Sequence, residues 1–112
     1  MVIIENYKLP KEDDTGNIEY KREILNLNRL KWKYSTQMIY RLNEGKGIAY
    51  YYLGVNDDGS FYEWDKETKK RSLKNLIEII NLIDCNIEYI LEFNSGYKVK
   101  IRSTEYKNDF II

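Results

Sequence analysis

The side chains with which this chain could do chemistry are carboxylates. It has 18 Asp and Glu among 112 residues and no histidine. The missing histidine removes Ser-His-Asp and Cys-His nucleophilic catalysis, His-ligated zinc and histidine-based pH sensing. The one cysteine, Cys85, excludes an internal disulfide and a multi-cysteine metal site, and it suits a reducing, cytoplasmic setting. Asp13, Asp14 and Glu19 cluster around a first strand, and Asp57 and Asp58 occupy a turn. Grouped carboxylates beside a cation such as Lys21 can hold Mg²⁺ or Mn²⁺, which would activate water against a phosphodiester. Acidic residues at turns also serve solubility and turn geometry, and both readings stay open. The chain has no G-x-x-x-x-G-K-[ST] run, so it carries no nucleotide-binding loop of that kind. Gly45-Lys46-Gly47 reads as a helix terminator.

Cations are the other candidates. Lys and Arg number 18, so the formal net charge is zero. That argues against a surface that clamps nucleic acid all round and leaves room for local patches. Arg29-Leu30-Lys31-Trp32-Lys33-Tyr34 interleaves basic and aromatic side chains that could follow an RNA backbone and stack a base, or equally form a connection pinned by its aromatics. Lys66, Lys69, Lys70, Arg71 and Lys74 gather at the start of a helix, the end whose dipole favours anions. A third row, Lys98, Lys100 and Arg102, faces Glu88 and Glu92 across a hairpin and reads as a solvated sheet face.

The elements that must position these groups follow from periodicity. Ile18 to Ile24 alternates apolar and polar residues, as a half-buried strand does. Ser35 or Thr36 caps a short helix to about Glu44, with Met38, Ile39 and Leu42 on one face. Ile48 to Val55 is a β-rich apolar run, Asn56-Asp57-Asp58-Gly59 a hairpin turn, and Phe61 to Trp64 its return strand. Ser72 caps a helix whose Leu73, Leu76, Ile77, Ile80 and Ile83 form a core stripe. A last hairpin pairs Ile87, Tyr89, Leu91 and Phe93 with Tyr97, Val99 and Ile101. The result is one α+β domain over residues 1–103, a β-α-β-β-α-β-β sandwich with a mainly antiparallel sheet, two helices and an optional strand near Ile3. Residues 104–112 form a tail in which Phe110-Ile111-Ile112 could tuck against the body. No apolar run approaches the ~18 residues of a membrane span, and the opening residues do not form a signal peptide.

The run Leu9-Pro10-Lys11-Glu12-Asp13-Asp14-Thr15-Gly16-Asn17-Ile18-Glu19-Tyr20-Lys21 resembles the amino-terminal region of the GTP-binding protein 1/2 group of translational GTPases. So do Thr36 to Gly45, Gly54-Val55-Asn56-Asp57-Asp58-Gly59 and Ser72-Leu73-Lys74. The GTPase domain that follows the last hairpin in that group is not in these residues, so the resemblance implies the role of an appended domain, standalone or cut from a longer chain. A more distant resemblance is to the Schlafen AlbA-like domain: an acidic residue, four others, then Glu-aromatic-Lys. That resemblance implies an AlbA-like fold and an acidic trio of Asp14, Glu19 and Asp57 that would ligate Mg²⁺ or Mn²⁺ and cleave tRNA.

The leading expectation is a non-catalytic, translation-associated domain, without cofactor, that contacts tRNA, rRNA or a ribosomal or GTPase partner. Its RNA-binding residues would be Lys21, Arg22, Arg29, Lys31, Trp32, Lys33, Lys69, Lys70 and Arg71. DNA and membranes are not expected partners. The alternatives are a Mg/Mn-dependent endoribonuclease using Asp14, Glu19 and Asp57, and a homodimeric interaction module sticky through Tyr50-Tyr51-Tyr52 and Phe61-Tyr62-Trp64. All of them require residues 9–17 to fold back beside the first strand and the turn at 56–59.

Overall fold

The computed structural model describes residues 3–4, 9–93 and 95–103. The tail at 104–112 and Asn94 of the last turn lie outside the described residues. In chain order the elements are β1 (Ile3–Ile4), β2 (Ile18–Lys21), α1 (Leu27–Glu44), β3 (Ile48–Leu53), α2 (Lys66–Leu82), β4 (Cys85–Phe93) and β5 (Gly96–Ser103). They build one five-stranded sheet in the order β1-β4-β5-β3-β2. The long pairings, β3 with β5 and β4 with β5, are antiparallel. The short pairings at the two edges, β1 with β4 and β2 with β3, are parallel. The fold is α+β and mainly antiparallel, as the alternation of the strands predicts.

Both helices cover one face of the sheet. Ala49, Tyr51 and Leu53 of β3 and Val99 and Ile101 of β5 are buried against Met38 and Leu42 of α1 and Leu76, Ile79 and Ile80 of α2. Each of these larger side chains contributes roughly 1.5–3 kcal/mol by leaving water. The opposite face carries a smaller apolar cluster of Leu9, Tyr20, Tyr52 and Val55. Tyr20 and Tyr52 meet edge to face with ring centres 5.6 Å apart, a favoured aromatic geometry.

Four details differ from the periodicity reading. Helix α1 begins eight residues before Ser35, at Leu27, so the basic-aromatic run 29–34 is helix and not a connection. Asn26 starts it in a left-handed conformation (φ 55°) without a side-chain cap, which leaves no capping signature to read. Ser72 does not cap α2: Asp65 does, its carboxylate accepting the Thr68 N–H. Ser72 is buried mid-helix, where its hydroxyl accepts the Ile24 N–H at 3.0 Å. The return strand at 61–64 shrinks to a single bridge between Val55 and Phe61. Gly54 turns the chain there at φ +80°, with the Trp64 ring packed over it. Finally, a bulge in β4 between Ile87 and Tyr89 inserts a residue, so Ile90 and not Tyr89 pairs with Val99. A one-residue slip flips every later side chain to the other face. Tyr89 and Leu91 therefore share a face with Lys98 and Lys100.

Candidate functional site

Residues 9–17 do fold back. The Glu12 N–H donates to the Asp57 carbonyl at 2.7 Å, and the Tyr20 hydroxyl donates to the Pro10 carbonyl at 2.8 Å. Gly59, at φ +92°, lies so close to the Leu9 carbonyl that a Cβ would collide with it. The acidic segment, β2 and the turn at 56–59 thus form one unit, as the function readings require.

At the centre of this unit is Arg41, a buried arginine on the core side of α1, only 4% exposed. Its Nε donates to Glu19 Oε1 at 2.8 Å. Its other nitrogens donate to the carbonyls of Asp13, Thr15 and Gly16 at 2.9–3.0 Å. Glu12 Oε2 is 3.7 Å from Nη2 and also accepts the Tyr20 N–H at 2.6 Å. One guanidinium therefore closes the acidic loop and neutralises Glu19, itself only 8% exposed. Glu12 takes up a proton more readily than an ordinary Glu. Burial is the main cause, and the negative charges of Glu19 and Asp57 add to it, outweighing the Tyr20 N–H and Arg41. Burial also pushes the Tyr51 phenol up.

Beside Arg41 opens a cleft of about 390 Å³. Its acidic lining is Glu12, Glu19, Glu23 and Asp57, and its basic lining Lys21, Arg22 and Lys33. Lys21 is engaged: its Nζ lies 3.5 Å from Glu19 Oε2 and 5.6 Å above the Tyr34 ring. Arg22 lies over the Tyr62 ring at 5.8 Å. Gln37 also lines the cleft, and its Oε1 is buried without a hydrogen-bond partner among the described residues.

The expected acidic trio comes together only in part. Glu19 and Asp57 both border the cleft, and Asp14 does not. Asp14 is exposed, and its backbone carbonyl accepts the Tyr40 hydroxyl at 3.0 Å. Glu12 occupies the place expected for it. Among the described residues no group of three or more Asp, Glu or Cys side chains is placed to hold a metal ion. The donor set does not fit a divalent cation, because the Arg41 guanidinium already serves Glu19 and approaches Glu12.

The expected basic residues divide into two groups. Lys21, Arg22 and Lys33 border the cleft. Arg29 precedes Lys33 by one helical turn and is exposed, so the two form one stripe. Lys31 lies over the ring of Trp32 at 5.5 Å, and Trp32 is 65% exposed. The other group belongs to α2. Lys69 pairs with Glu92 and lies over Tyr97. Lys70, Arg71 and Lys74 share a groove with Glu67 and Glu78, so that patch is partly neutralised. Of the aromatic residues named for a homodimer face, Tyr51 and Tyr52 are buried and Tyr50, Phe61, Tyr62 and Trp64 are half-buried, the Trp64 indole N–H donating to the Ser95 carbonyl. The large apolar side chains that are exposed include Trp32, Ile39, Tyr40 and Leu82. No helix among the described residues is long and apolar enough to cross a membrane.

Glu12 and Arg41 are the residues that the sequence reading passed over. Arg41 could have been found, because it is a charge on the stripe that Met38 and Leu42 define.

The chain is 37% identical over 92 residues to uncharacterized protein R625 of Acanthamoeba polyphaga mimivirus, covering 80% of this chain and 50% of that protein. It is 36% identical over 90 residues to GTP-binding protein 2 of Homo sapiens and of Mus musculus, covering 80% of this chain and 15% of theirs. The chain thus spans half the length of one curated relative and a small part of the others. No family model matches it, and no solved structure matches it.

Proposed function

We propose that this domain is a non-catalytic RNA-contacting module of the translation apparatus, acting through the cleft between β2 and α1. The observation that carries the reading is the pair of cations Arg22 and Lys33 in the cleft lining, with Arg29 exposed one helical turn from Lys33 and Trp32 exposed elsewhere on α1, on a chain of zero net charge. Cations held at a concave edge attract phosphate, and an exposed indole offers a stacking surface to an unpaired base. The similarity to GTP-binding protein 2 supports a setting beside a GTPase. A catalytic role is disfavoured because Arg41 occupies the charge-neutralising position that a metal ion would need.

The test is fluorescence anisotropy with end-labelled tRNA at low salt, repeated at rising salt. Measurable binding that weakens with salt is expected. Absence of binding to tRNA and rRNA, together with no co-sedimentation with ribosomes, overturns the reading. Cleavage of the tRNA that a chelator abolishes overturns its non-catalytic part.

A further inference from the structure

Both helices lie on one face of the sheet, and the bulge in β4 sets the character of the other. With strict alternation Glu88 and Glu92 would both stand opposite the cations of β5. The inserted residue carries Glu92 to the helix side, where it pairs with Lys69 of α2, and brings Tyr89 and Leu91 to the open side in its place. The row Lys98, Lys100 and Arg102, on alternate residues about 7 Å apart, therefore pairs with one carboxylate among the described residues. That is Glu88, 3.1 Å from Lys100 Nζ and 2.7 Å from Arg102 Nε. Three cations against one anion leave a positive strip on a chain of zero net charge.

The neighbours of the strip are tyrosines. Lys98 Nζ lies 5.1 Å from the ring centre of Tyr50, 5.6 Å from that of Tyr52 and 6.0 Å from that of Tyr89. Lys100 Nζ lies 5.8 Å from Tyr50 and 6.0 Å from Tyr89. Tyr52 is buried, whereas Tyr50 and Tyr89 are half-buried. A ring attracts an ammonium without cancelling its charge, so Lys98 stays available to an outside anion. A line of cations flanked by rings fits a linear polyanion with flat groups beside its charges, which describes unpaired RNA. An acidic polypeptide would match the charge and leave the rings unused.

We propose that the helix-free face of the sheet is a second RNA-contacting surface, with phosphates along Lys98, Lys100 and Arg102 and an unpaired base against Tyr89. It goes beyond the cleft reading: the strip lies on β5 and β4, with β3 between it and β2, and on the side away from α1.

The experiment measures the anisotropy of labelled rU10 at rising salt with the full chain. Lys98→Gln/Lys100→Gln should weaken binding and flatten the slope of log K against log salt by about 1.4, two single-stranded contacts at ~0.7 each. Tyr89→Leu should weaken binding about tenfold with the slope unchanged, and Tyr89→Phe, which keeps the ring, should bind as the wild type does. Lys70→Gln/Lys74→Gln, which removes the same charge from α2, should leave the slope unchanged. If the sheet variants fold and bind like the wild type, this surface is overturned and the cleft reading stands. If they lose binding while Arg22→Ala/Lys33→Ala does not, the cleft reading fails and this one stands. Polyglutamate that displaces rU10 through the same lysines, with Tyr89→Leu without effect on either, overturns the RNA assignment in favour of an acidic protein surface. Should Tyr89→Leu fail to fold, cross-linking of the wild-type chain to a 4-thiouridine decamer decides: labels within 86–91 or 97–103 support the surface, and labels confined to α1 overturn it. If neither rU10 nor tRNA binds the wild type, both readings have failed.

Discussion

Arg41 does the work that three separate groups would otherwise share: it neutralises Glu19, satisfies three loop carbonyls and anchors the acidic segment to α1. Removing one partner of a buried ion pair leaves the other charge unmet, a loss of about 3–5 kcal/mol. Arg41→Met should therefore lower urea stability by that order at pH 7, and adding Glu19→Gln should recover a substantial part. A loss below about 1 kcal/mol would show that the loop closes without the guanidinium. Glu12 gives the opposite sign. Its folded pKa is raised above the ordinary 4.5, so its neutral form is favoured in the fold and its contribution to stability is lost as pH rises through the folded value. Gln keeps an acceptor for the Tyr20 N–H without the charge beside Glu19 and Asp57. Glu12→Gln should match or exceed wild-type stability at pH 7, and the difference should shrink as pH falls toward 4.5; an advantage that grows on acidification would contradict this assignment. The sequence showed the carboxylates but not their partner, because an arginine clasp of four hydrogen bonds depends on loop carbonyls that no spacing rule encodes.

At the scale of elements, long apolar runs were legible and their punctuation was not. The stripe of α2 and the β-rich run of β3 declare themselves by periodicity. The first half of α1 does not: Arg29 to Tyr34 is amphipathic only once Lys31 is seen over the Trp32 ring and Tyr34 against the core. The bulge in β4 is likewise invisible, since alternation reads the same until a residue is inserted. The lost return strand has a local cause. Gly54 holds φ +80°, and a Cβ there would stand 2.7 Å from Trp64 Cζ2, while the indole is fixed by its N–H on the Ser95 carbonyl. The chain leaves the sheet at this point so that Trp64 can cover it. Gly54→Ala combines a left-handed backbone penalty with overpacking and should cost about 3 kcal/mol in chemical denaturation. Trp64→Leu in the same background relieves only the clash, so it should restore part of the loss and not all of it.

For the whole molecule, the balance of charge decides what kind of RNA affinity is available. With 18 cations against 18 anions, the chain offers no net attraction, and binding must come from the arrangement of charge. Two basic patches compete for that role. In the cleft Lys21, Arg22 and Lys33 stand among Glu12, Glu19, Glu23 and Asp57, with Arg29 exposed one turn from Lys33, whereas on α2 Lys70, Arg71 and Lys74 stand among Glu67 and Glu78 in one groove. Two double variants separate local from global electrostatics, because Arg22→Ala/Lys33→Ala and Lys70→Ala/Arg71→Ala each remove two positive charges. If net charge governed affinity, both would weaken tRNA binding alike. If the cleft rim holds phosphates, the first should flatten the slope of log K against log salt by about 1.4, two single-stranded phosphate contacts at ~0.7 each, and the second should leave it nearly unchanged. Equal slopes for the two variants would move the RNA contact away from the cleft, and a larger change in the second would place it on α2.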